Sequence, residues 1–77
     1  MRKLTHERAE QLKKQGITHI ASIVKSHFAT QYFKCETIET ILQNGGKMPE
    51  YYMYNGFTHG ISGKHINWET TIRWSEI

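Results

Sequence analysis

The chain contains no aspartate, one cysteine and one proline among its 77 residues. Without Asp there is no Ser/His/Asp triad and no Asp-based metal site. With Cys35 alone there is no intrachain disulfide framework and no cysteine-based zinc site, which fits a reducing compartment. There is no long apolar run, so no membrane-spanning helix is expected. The first residues, MRKLTHERAEQLKK, are charged and lack the apolar stretch of a signal peptide. The expected setting is soluble and cytoplasmic, away from membranes.

Chemical signatures are equally scarce. No nucleophile elbow, phosphate-binding loop or dinucleotide fingerprint occurs. Gly56, Gly60 and Gly63 read as turn glycines. The five histidines (His6, His19, His27, His59, His65) form no HxH, HxxxH or HExxH arrangement. His19 and His27 would lie about 80° apart around an ideal helix, too loosely placed to define a ligand set. Cys35 reads as small core packing rather than a nucleophile. A chain of this length buries only about 60% of its unfolded surface, which leaves little room for an enclosed pocket. Neither enzymatic activity, a metal or cofactor, nor a small-molecule substrate is expected.

Aromatic residues are plentiful: two Trp, four Tyr and three Phe. Charge is uneven. Residues 1–34 carry seven Lys/Arg against two Glu, a net +5, and residues 35–77 carry three against five, a net −2. A basic half of this kind either attracts an anionic partner or forms a solvated helix face.

Periodicity predicts helices over about 5–15, 18–30 and 34–44. Thr5 is placed to cap the first and Gly16 to stop it. Ile17, Ile20, Ala21, Val24 and Phe28 trace one helical stripe in the second. In the third, Cys35, Ile38, Ile41 and Leu42 share a face and Asn44-Gly45-Gly46 is a stop, although the run from Tyr32 is rich in strand-favouring residues. Beyond Met48-Pro49, Asn55-Gly56 is a hairpin signal. The last run, INWETTIRWSEI, alternates apolar and polar residues. Strands are predicted over about 50–54, 57–61 and 65–75. The fold expected over residues 1–77 is a single α+β domain, with two or three N-terminal helices packed on a C-terminal three-stranded antiparallel β-meander.

A two-residue Asn-Gly turn pairs Tyr54 with Phe57 and Tyr52 with His59. One sheet face then gathers Tyr52, Tyr54, Phe57, Ile66, Trp68, Ile72 and Trp74 as the core. The opposite face is polar except for Tyr51 and Met53, with Arg73 beside them. Tyr, Met and Arg are enriched in protein interfaces, so Tyr51, Met53 and Arg73 are the candidate protein-binding residues. The expected function is that of a small regulatory or inhibitor protein, of a kind frequent in phages and mobile elements. It would dock on a protein partner, or on a second copy of itself, through the open face of its sheet. The competing reading is a nucleic-acid-binding regulator. Helices followed by a hairpin resemble the winged-helix layout, with Arg8, Lys13, Lys14 and Lys25 as phosphate contacts. Against it, the third helix would present Glu36 and Glu39 to the groove.

Overall fold

The structure is a computed structural model that describes residues 3–25, 31–49 and 63–77; of Val24, Lys25 and Gln31 the backbone alone is described. It is a small α+β fold in which a three-stranded mixed sheet is combined with helices. In chain order the elements are α1 (His6–Lys14), β1 (His19–Lys25), β2 (Gln31–Thr37), α2 (Ile38–Gln43) and β3 (Thr71–Arg73). Two 3-10 turns, Gly63–His65 and Trp74–Glu76, flank β3.

The first helix forms where its local signals lie. The Thr5 hydroxyl accepts the Arg8 N–H at 3.1 Å, and Lys13 and Lys14 occupy the last turn, where the helix dipole favours cations. Gly16 follows at φ 83°.

The predicted second helix is a strand over its described part. Residues 19–25 form β1, the centre of a sheet ordered β2-β1-β3. Ile20 and Ala21 are consecutive, lie on opposite sheet faces, and are 0% and 1% exposed. A strand covered on both faces is apolar almost continuously, and such a run mimics a helical stripe. Its β-branched Ile20, Ile23 and Val24 favour the extended form.

The predicted third helix starts late. Residues 34–37 belong to β2, which pairs antiparallel with β1 from His19↔Thr37 to Lys25↔Gln31. The helix α2 begins at Ile38, where the Thr37 hydroxyl accepts the Thr40 N–H at 3.2 Å. It stops at Asn44, followed by Gly45 (φ 73°) and Gly46 (φ 81°). The winged-helix order of elements is therefore replaced by helix, strand, strand, helix.

The expected strand over 65–75 shortens to residues 71–73. Asn67 interrupts it, because its side-chain oxygen accepts the Glu69 N–H at 3.1 Å and its carbonyl accepts the Thr70 N–H at 3.2 Å. Such a local turn competes with the ladder. The meander is corrected too, since β3 runs parallel to β1 through His19↔Thr71, Ile20↔Ile72 and Ala21↔Arg73. The strands expected at 50–54 and 57–61, with the Asn55-Gly56 turn, lie outside the described residues.

Opposed residues share a face, so the registers define two sides. On one, Ile20 meets Leu4, Ala9 and Leu12 from α1 and its lead-in, and Ile38 and Ile41 from α2; Ile72, Trp74 and Ile77 close against this core. On the other, Ala21, Phe33 and Ile66 form a second buried cluster. The aromatic core face expected along residues 66–74 is thus split between the two sides of the sheet.

Candidate functional site

Among the described residues, the second face carries the large exposed apolar side chains. Ile23 is 48% exposed and Trp68 37%, although Trp68 was expected in the core. Its position follows from the Asn67 turn, which takes residue 68 out of any strand. The indole is nevertheless fixed. Its Nε1–H donates to the Gly63 carbonyl at 3.0 Å. Its ring meets Phe33 edge-on, with centroids 5.3 Å apart and planes at 78°. The Arg73 guanidinium lies over it, 5.0 Å from the ring centroid. Edge-to-face packing and cation–π attraction each favour this arrangement.

The registers explain why the three side chains meet. Phe33 is on β2, opposite Ile23 of β1, and Arg73 is on β3, opposite Ala21. Ala21, on the central strand, presents only a methyl group between them. Gly63 also contributes, because a Cβ there would come within 3.1 Å of the Phe33 ring.

β3 pairs with β1 only as far as Ala21, and the chain then continues beside β1 through the 3-10 turn Trp74–Glu76. A cleft of about 220 Å³ opens there, lined by Ala21, Ser22, Ile23, Arg73, Trp74 and Ser75.

Arg73 is exposed and shares a sheet face with the buried Ala21 and Thr71. Tyr51 and Met53 lie outside the described residues. Ile23 and Trp68 were missed for one reason: a helical reading of 18–30 and a continuous strand over 65–75 send both side chains elsewhere. The Asn at position 67, two residues before Glu69, was the available signal for a turn.

Of the four basic candidates, Arg8 and Lys13 make contacts within the fold. Arg8 donates from Nη1 to Gln11 Oε1 at 3.2 Å and from Nη2 to the Glu76 carbonyl at 3.4 Å. Lys13 pairs with Glu39 at 3.1 Å, linking α1 to α2. The Glu39 carboxyl is held below its usual range, first by its own backbone N–H and then by Lys13. Lys14 is exposed on α1. Lys25 lies on β1 rather than on a helix, and its side chain is outside the described set.

Cys35 is half-buried on β2, opposite Ala21. Burial pushes its thiol upward, the charge of Glu36 adds to that, and a hydrogen bond with the Thr71 side chain opposes both. Among the described residues, no three His, Cys, Asp or Glu side chains converge as a metal site would require, and no helix is long and apolar enough to cross a membrane.

No protein-family profile, curated protein or solved structure matches this chain.

Proposed function

We propose that this chain is a small non-enzymatic regulatory or inhibitor protein that binds a protein partner through the exposed face of its sheet, at Ile23, Trp68 and Arg73. The observation that carries the reading is the Arg73–Trp68–Phe33 stack beside the exposed Ile23. Trp and Arg dominate the energetic centres of protein interfaces, where rigid side chains lose little entropy on binding. Here both are held in place before any partner arrives.

The test is affinity capture from the native host, with and without nuclease, followed by mass spectrometry. The comparison is with the double variant Ile23→Lys/Arg73→Glu, whose substitutions fall on exposed side chains and whose fold is checked by circular dichroism. The expected outcome is a protein partner captured regardless of nuclease and weakened about thirtyfold or more in the variant, the scale of losing an interface hot spot. Capture that survives the substitutions sinks the sheet-face reading. Capture that vanishes with nuclease moves the function to the basic N-terminal half.

A further inference from the structure

We propose that Asn44 is a site of spontaneous covalent modification that the fold withholds from reaction: it deamidates only when the end of α2 opens, and the aspartate or isoaspartate so formed does not restore that end.

The chemistry starts from the dipeptide Asn44-Gly45. A glycine after an asparagine leaves the next backbone nitrogen unshielded by a Cβ, and its backbone turns easily. Once that nitrogen gives up its proton to base in the solvent, it attacks the asparagine Cγ. A bond forms between Gly45 N and Asn44 Cγ, the Cγ–Nδ2 bond breaks, and ammonia leaves with a proton taken from water. Water then opens the five-membered ring. Opening at Cγ yields aspartate. Opening at the main-chain carbonyl yields isoaspartate, whose backbone runs through Cβ and is one atom longer. Water and the base it supplies are the co-reactants, and Asn44 is exposed to both.

Exposure admits the reactants, but the geometry of the α2 stop keeps the reacting atoms apart. Ring closure needs Asn44 Cβ and Gly45 N eclipsed about the Cα–C bond. At ψ 28° they point in nearly opposite directions. The rotation that would bring them together is opposed from both sides. Asn44 Nδ2 donates to the Lys47 carbonyl at 3.0 Å. The Gly45 N–H donates to the Leu42 carbonyl at 3.2 Å, so the attacking nitrogen is itself engaged. Gly46 is tied as well: its N–H donates to the Ile41 carbonyl at 2.9 Å, and its carbonyl accepts the Leu4 N–H at 2.8 Å. Reaction therefore waits for a local opening of this stop, an excursion of the kind that hydrogen exchange detects.

The product lacks the parts from which the stop is built. In aspartate a carboxylate oxygen replaces the Nδ2 donor and sets acceptor against acceptor at the Lys47 carbonyl. It also puts a negative charge at the helix end whose dipole is already negative. In isoaspartate the added atom falls between Leu42 and Gly46, which shifts Gly46 away from its partners on α2 and at Leu4.

The test is to incubate the full chain in mildly alkaline buffer, folded and in guanidinium chloride, and to follow Asn44 by mass spectrometry of tryptic digests. Cleavage after Lys34 and Lys47 isolates residues 35–47, so Asn44 is read apart from Asn55-Gly56. The folded chain is expected to convert about tenfold or more slowly than the denatured one, since at least two hydrogen bonds must open first. This readout needs no variant to fold. The variant Asn44→Asp, which carries one of the two products, should unfold at a clearly lower guanidinium concentration than the native chain. Equal conversion rates in the folded and denatured chain overturn the guarding of Asn44. An Asn44→Asp chain with an unchanged midpoint overturns the claim that the product cannot rebuild the stop.

Discussion

Cys35 shows how one residue's surroundings set its chemistry. It lies opposite Ala21 in the β1–β2 register, and across the central strand it hydrogen-bonds the side chain of Thr71 on β3, which is itself 6% exposed. Partial burial and Glu36 raise its pKa above the value it has in the unfolded chain. The folded state therefore keeps the thiol proton to higher pH than the unfolded state does. The associated stability is complete below the unfolded pKa and is lost as pH rises through the folded one. The urea midpoint of the native chain should accordingly fall further across the alkaline range than that of Cys35→Ser. Alkylation at neutral pH should be slower in the folded protein than in urea. A labelling rate equal in the two states would show that the thiolate forms as easily in the fold as outside it.

At the scale of the element, the two glycines after α2 make a sharp comparison. Both have positive φ, 73° at Gly45 and 81° at Gly46, yet a Cβ at Gly45 meets open space whereas one at Gly46 runs into the Leu4 carbonyl. The Leu4 N–H also donates to the Gly46 carbonyl at 2.8 Å. Gly45→Ala should cost about 1 kcal/mol, the penalty of the left-handed region. Gly46→Ala should cost clearly more in a denaturant titration, because backbone has to move. Equal losses would mean that the contact between the α2 loop and the residues before α1 bears little on stability. The stop at Asn44-Gly45-Gly46 was legible in the sequence for the same reason as α1: Thr5, Gly16 and these glycines act within a few residues of themselves. β1 was not legible. Its sheet neighbours are remote in sequence, and coverage on both faces erases the alternation that would have marked a strand. β3 failed in the opposite direction. Its alternating run promised eleven residues of strand, and the Asn67 side chain, bonding to backbone two residues on, left three. Of the candidate site, Arg73 is exposed at the end of β3, whereas Thr71, two residues earlier on the same face, is buried. Trp68 and Ile23 could be found only once the strand order was known.

Across the whole molecule, the larger core sits between the helices and one face of the sheet. Among the described residues, Leu12, Ile20, Ile38 and Ile41 are its largest fully buried side chains, drawn from α1, β1 and α2. Leu12→Ala should destabilise the chain by about 2–5 kcal/mol, the cost of removing a buried leucine and leaving a cavity. That is a large share of the stability of a small domain, so the variant's melting temperature should drop by many degrees. A loss below about 1 kcal/mol would show that α1 is not cooperatively part of this core. The parallel pairing of β1 with β3 has a consequence in time as well as in space. His19 and Thr71 are neighbours in the sheet but 52 residues apart in the chain. During synthesis the central strand emerges long before its second neighbour, roughly 3–10 s earlier at ordinary elongation rates. For that interval a β-branched, apolar strand has one side with no β3 to meet it, and a chaperone that shields nascent chains would find its first target at residues 19–25.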